Sequence, residues 1–193
     1  MHLIVTIDRE GLPSDFHDWG LVVDEERGNT VAHIAARSGR LPLDFTFWHL
    51  RNKAGDTVAH IAARERRLPA NFMDWHLVND KGDTVAHVAA REGCLPVGFV
   101  LWGLLNADGE TVAHVAVRQG RLPENFDQWG LVDQKGRTVA HYAATYNRLP
   151  LGFTLWSLMG RDGRTVAEEV SYRQQVRETM RKHFAEKDER RAA

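Results

Sequence analysis

Cysteine is almost missing from this sequence. Cys94 stands alone among 193 residues, so no intramolecular disulfide can brace the fold. Long apolar runs are missing too, and none approaches the roughly 18–20 residues needed to cross a bilayer. The opening MHLIVTIDREG has neither the basic segment, the apolar core nor the small-residue cleavage site of a secretion signal. These absences predict a cytoplasmic protein without a membrane partner, in its own cell or, for a delivered effector, in that of a host. An excess of one charge is also lacking, with 25 Lys and Arg against 26 Asp and Glu. That balance removes the overall positive field of a general nucleic-acid binder, although it is compatible with a local basic stripe. With 43% hydrophobic and 26% charged residues, the composition is that of a soluble folded chain.

Prolines and tryptophans are few but ordered. All six of each fall in one motif, LPxxFxxWxL, which begins at Leu12, Leu41, Leu68, Leu95, Leu122 and Leu149. Between its copies stand GNTVAHIAAR, GDTVAHIAAR, GDTVAHVAAR, GETVAHVAVR, GRTVAHYAAT and GRTVAEEVSY, with threonine at 30, 57, 84, 111, 138 and 165, always 27 apart. A fixed period of this length predicts a solenoid.

Each unit reads as two short helices. Thr57, Thr84 and Thr111 are placed to cap the first, through a hydroxyl that accepts from the exposed N–H groups of the opening turn. Ala59, Ala62 and Ala63 favour helix and let neighbours approach. Pro69 suits the first turn of a second helix, whose buried side is Phe72, Trp75 and Leu77. Asn79-Asp80-Lys81-Gly82 is turn chemistry, with Gly82 able to take the positive φ that closes a tight turn. One unit cannot cover its own apolar face, so stability comes from stacking. The chain divides into a capping unit at 1–29, five regular repeats at 30–164 and a capping helix at 165–193. In the first, HLIVTIDRE reads as a degenerate first helix or as an extended segment. The last has a partly apolar side of Val166, Val170, Val176, Met180 and Phe184.

Gly-x-Thr-Val-Ala-His-x-Ala-Ala resembles the ankyrin signature Thr-Pro-Leu-His-x-Ala. The resemblance covers nearly the whole chain and implies an all-α, ankyrin-like helix-turn-helix solenoid of about six 27-residue units with a C-terminal capping helix. The units are six residues shorter than the usual 33, a shortening expected in the second helix and the hairpin loop. Such short units look similar to proteins of bacteria and their phages. The resemblance implies a scaffold that binds another protein, with an inhibitor or effector as one form, and neither an enzyme nor a cofactor carrier. It also implies a role for His33, His60, His87, His114 and His141: each bridges the threonine hydroxyl and the backbone of the adjoining turn.

The residues weigh against chemistry in the same direction. Helices packed about 8–10 Å apart cannot bring equivalent histidines within the roughly 3.5 Å that ligands sharing one zinc require. Cys94 occupies a position held by Arg40, Arg67, Arg121 and Arg148, as if by drift, in surroundings whose basic residues would lower its pKa. Two arginine rows, Arg37, Arg64, Arg91 and Arg118, and Arg40, Arg67, Arg121 and Arg148, admit two readings. They could receive an acidic protein surface or a phosphate backbone. Otherwise they are neutralised within the solenoid by Glu65, Glu92, Asp56, Asp83 and Glu110, or cap helix carboxyl ends.

Departures from the repeat are better pointers to function, because stacking does not require them. Phe47, Leu101 and Leu155 alternate with Asp18, Asp74 and Gln128, so that every second unit is apolar. A two-unit duplication explains this, as does an outer face that meets a partner or a second copy in a homodimer. Tyr142, Tyr146 and Tyr172, with Arg148, gather near the carboxyl end. They read either as an interface hot spot or as the seat of the terminal helix.

Overall fold

The computed structural model describes residues 12–13 and 15–192, with side chains to 182. The first-helix reading of HLIVTIDRE lies outside the described residues. Among the described residues six helices follow one another: α1 (Val31–Ser38), α2 (Val58–Arg64), α3 (Val85–Glu92), α4 (Val112–Gln119), α5 (Val139–Thr145) and α6 (Val166–Ala192). Each packs on the next in sequence. A short antiparallel pair, β1 (Val22–Asp24) and β2 (Asn29–Thr30), precedes α1.

Two-turn helices are marginal by themselves, and the sequence around them supplies what they lack. Thr57, Thr84, Thr111 and Thr138 each accept from the histidine N–H three residues on. Two more orphan donors are met from outside the helix. In the third unit Val85 N–H donates to Leu77 O and Ala86 N–H to Trp75 O, at 2.9 and 3.2 Å. The same two bonds recur at α1, α2, α4, α5 and α6. These bonds explain why the second helix of each unit is absent. Pro69 and Phe72 close a single turn (Phe72 N to Pro69 O, 3.0 Å), and the Trp-x-Leu carbonyls that would continue a helix are committed to the next helix start. The apolar spacing of Phe72, Trp75 and Leu77 is real, but a series of turns rather than a helix delivers it. Phe72 and Trp75 are buried.

Phe and Trp from these turns form one continuous ladder. Trp48 meets Phe72 at 5.4 Å, Phe72 meets Trp75 at 4.9 Å, and Trp75 meets Phe99 at 5.4 Å, all edge to face. The pattern runs from Phe16 to Trp156. Edge-to-face pairs contribute about 0.5–1.5 kcal/mol each beyond area burial. On the other side of each unit the helices touch through Val, Ala and His, with the valines and alanines after each threonine excluded from water in α1 to α5.

The histidines join unit to unit. His60 Nε2 lies 3.0 Å from Asp83 O, and the corresponding bonds from His33, His87, His114 and His141 reach Asp56 O, Glu110 O, Arg137 O and Arg164 O. A carbonyl only accepts, so Nε2 carries the proton. Nδ1 is then the acceptor, and at His60 it receives the Thr57 N–H at 3.2 Å and faces the hydroxyl at 2.8 Å. In the last unit Glu168 takes the histidine position, and its carboxylate accepts from Thr165 N–H and Oγ1–H. Val166 is buried in α6, yet Val176 and Met180 are exposed. The expected apolar side of this helix is thus covered only in its opening turns, while the Phe184 side chain lies outside the described residues.

Burial holds His33, His60, His87 and His114 below the usual imidazole pKa, outweighing the neighbouring carbonyls and carboxylates that favour the cation. Geometry adds to this at His60, because a proton on Nδ1 would face the Thr57 N–H. The unfolded chain therefore binds more protons below about pH 6.5, and stability present in full above that value falls as pH drops. Calorimetry from pH 8 to 5 should show a falling Tm with an uptake of up to four protons on unfolding. A Tm independent of pH over that range would contradict neutral, buried imidazoles.

Candidate functional site

A polar seam runs beside the loops that precede each helix. Asn79 Oδ1 accepts from the Lys81 and Asp83 N–H groups of its own loop, while its amide donates to Asp56 of the preceding unit at 2.8 Å. Asn106 repeats this between Asp83 and the Glu110 N–H. The first arginine row completes the seam. Arg64 binds Asp56 through two bonds of 2.6 and 2.8 Å, Arg91 binds Asp83 at 2.9 Å, and Arg118 binds Glu110 through two bonds of 2.9 and 3.0 Å. Burial would raise the Asp56 carboxyl, but Arg64 and Asn79 outweigh it and hold it below the usual range. Arg37 lies near Asp24, whose carboxyl is lowered mainly by the Arg27 N–H and Asn29, with a smaller contribution from Arg37. Arg64, Arg91 and Arg118 are therefore engaged within the solenoid, through three of the five carboxylates anticipated for them.

Unit five reverses the seam. Asp133 stands where asparagine would donate, Arg137 where an acid would accept, and Thr145 where arginine would be. Tyr142, in a position otherwise held by Ile61, Val88 and Val115, closes the gap. Its hydroxyl lies 3.0 Å from Glu110 and 3.2 Å from Asp133, and receives a short hydrogen bond from Arg137. Arg137 also stands over the ring at 4.5 Å. Burial first, then Glu110, pushes the phenol well above its ordinary pKa. Tyr142 is 5% exposed, which corrects its assignment to a partner surface: it supports the seam from within. Tyr146 and Tyr172 remain half-exposed. Tyr146 rests on Tyr142 with ring centroids 6.2 Å apart, and Arg164 stands over Tyr172 at 5.3 Å.

The second arginine row lies along helix ends. A Cβ on Gly39 would meet Arg67 Nη1 at 2.0 Å, one on Gly93 would meet Arg121 Nη1 at 2.8 Å, and one on Gly120 would meet Arg148 Nη1 at 2.0 Å. Each guanidinium crosses the glycine that ends the previous unit's helix, at φ 69 to 72°. The equivalent residue before Cys94 is Arg66, a non-glycine at φ 57°. A side chain there stands where the other units leave a glycine free for the crossing, and the smaller Cys94 takes the place of arginine. Cys94 donates from Sγ to Ala63 O at 3.3 Å, and burial raises its thiol despite Arg66 and Arg121. The raised thiol is not that of an activated nucleophile, and the loss of arginine at 94 coincides with the loss of glycine at 66.

What the seam and the ladder leave outward is the tip of each Leu-Pro turn. Phe47, Leu101 and Leu155 are part-covered behind the tip, while Leu43, Val97 and Leu151 at the tip itself are fully exposed. They occupy the position directly after proline, inside a turn closed by Phe45 N to Pro42 O and its equivalents. In units four and six the next residue, Gly98 or Gly152, has φ 79 or 80°, which a type II turn demands. The sequence reading passed over Leu43, Val97 and Leu151, although the signal was present: the intervening units have Ala70 and Glu124 there.

No family model matches the chain, and no curated protein matches it in sequence. Among solved structures the chain is similar to the ankyrin repeat domain of Bcl-3, a member of the IkappaB protein family. The TM-score is 0.58 and the identity 18%, over 87% of this chain and 86% of that one. The fold is that of ankyrin repeats. In this ankyrin-repeat fold the threonine and histidine columns are the joints, and the residues free of joint duty lie at the turn tips and near Tyr146.

The pairing of residues 66 and 94 can be checked by a double-mutant cycle. Cys94→Arg alone should leave stability unchanged or lower it, and in an Arg66→Gly background the same change should raise it. Chemical denaturation should give a favourable coupling on the order of 0.5–1 kcal/mol, and strict additivity would refute the crossing.

Proposed function

We propose that this chain is a protein-binding scaffold that acts by occupying a partner's surface, as an inhibitor or effector does, and that the tips of alternate units carry the contact. The supporting observation is the full exposure of Leu43, Val97 and Leu151, two units apart from one to the next. Stacking makes no use of them. At about 8–10 Å per packed helix, they form a comb of apolar points roughly 16–20 Å apart, backed by Phe47, Leu101 and Leu155. Large aliphatic groups held outward at regular intervals suit a partner that removes them from water. The half-exposed Tyr146 and Tyr172, with Arg148 nearby in sequence, extend the candidate surface towards the carboxyl end. Arg64, Arg91 and Arg118 are turned to internal ion pairs, which weighs against phosphate-backbone binding. No helix among the described residues is long and apolar enough to cross a membrane.

The test is a Leu43→Ser, Val97→Ser, Leu151→Ser triple variant. Surface changes of this kind typically alter stability by less than about 0.5 kcal/mol each, so the Tm should stay close to that of the parent. Partners captured from the native host and identified by mass spectrometry should be lost from the variant. Equal retention by parent and variant would exclude the comb as the contact.

A further inference from the structure

Every tryptophan of the ladder but the last stands against a phenylalanine from the following unit. The five junctions are alike: Trp19 to Phe45, Trp48 to Phe72, Trp75 to Phe99, Trp102 to Phe126 and Trp129 to Phe153, with centroids 5.2 to 5.5 Å apart and planes near perpendicular. Trp156 keeps its own-unit partner, Phe153, at 5.2 Å. Among the described residues no ring from a following unit meets it, and it is 43% exposed where Trp75 and Trp102 are 6% exposed.

The cause is the uninterrupted course of α6. Val176 and Met180 stand 27 residues after Leu149 and Phe153, in register with the leucine and phenylalanine of a seventh Leu-Pro turn. Arg177 holds the proline position, so α6 continues as helix and leaves both side chains exposed. The helix half of a seventh unit is thus filled by α6, while among the described residues nothing occupies the turn half. The open half is bounded by Trp156, with Leu155 and Met159 also exposed nearby in sequence.

Resting on the protein-binding reading above, we propose that this open half-unit receives an aromatic-bearing turn of a partner protein, of the form Pro-x-x-Phe, which extends the ladder across the interface. Continuity with the internal joint specifies the occupant. It presents a ring edge to Trp156 as Phe99 does to Trp75, in a turn short enough to lie beside α6. Trp156 is then a hot spot, an indole half-buried before binding and covered on binding.

The test uses the full chain labelled at its indole nitrogens, with the Trp156 signal assigned by Trp156→Phe. The added probe is a blocked peptide of the sequence of residues 121–127, RLPENFD, and its counterpart with alanine in place of phenylalanine. The first should shift the Trp156 indole signal with millimolar affinity and leave the other five in place; the second should not. A Val176→Leu, Arg177→Pro, Met180→Phe variant rebuilds the turn within the chain and should abolish the response, because its own ring fills the half-unit. No shift of Trp156 in the parent, or an equal shift in the rebuilt variant, overturns the proposal. Failure of the serine triple variant to capture the partner, without any peptide response in the parent, would leave the scaffold reading standing and remove this one alone.

Discussion

Everything else in the molecule depends on one hydrogen bond, from an imidazole Nε2–H to a backbone carbonyl of the following unit. It makes the register of the stack a matter of chemistry rather than of apolar contact alone, because the donor and acceptor meet only when successive threonines are one repeat apart. Apolar packing of Val and Ala is nearly directionless and would tolerate a slip. The imidazole does not, since its other nitrogen is already engaged by the threonine that starts its own helix. One side chain thereby fixes both the beginning of a helix and the position of the next unit.

The asparagine bridges and the aromatic ladder follow the same logic on two other lines along the solenoid. Asn79 and Asn106 each order their own loop through the oxygen and reach the preceding acid through the nitrogen, while Asn52 reaches Asn29. Where unit five lacks that donor, the compensation is collective: Asp133, Arg137, Tyr142 and Thr145 all differ from the repeat together. The case of Arg66 and Cys94 is the same in miniature. Polar satisfaction in a one-dimensional stack is shared between neighbours, so a change at one position is answered in the next unit or the previous one.

The periodic columns were legible in the sequence because each serves the same purpose five or six times. Threonine caps, histidine bridges and the replacement of histidine by Glu168 could be read from spacing and resemblance. The single turn after Leu-Pro looks like a helix in the sequence because Pro69 suits a helix's first turn and Phe72 and Trp75 stand three apart, and nothing local shows that the Trp75 and Leu77 carbonyls serve the helix that follows. Tyr142 was misplaced for a related reason. A tyrosine that breaks a repeat looks like an addition to the surface, whereas its hydroxyl stands in for the Asn–Asp bridge that unit five does not make. The alternation of the tips was visible, but its most exposed residues were not, because exposure depends on a turn that the sequence reading had made a helix.

The alternating tips also give the solenoid a parity. The histidine and aromatic joints are of one kind throughout, so away from the unit-five seam and the Arg66–Cys94 pair a unit can be added or removed without a new interface having to be invented. Addition of a single unit, however, would move every downstream tip into the opposite phase, setting Glu124-like ends where Leu151-like ends had been. Addition of a pair would leave the phase intact. A chain that keeps its apolar tips in step is thereby constrained to lengthen by twos, although its stability would permit growth by ones.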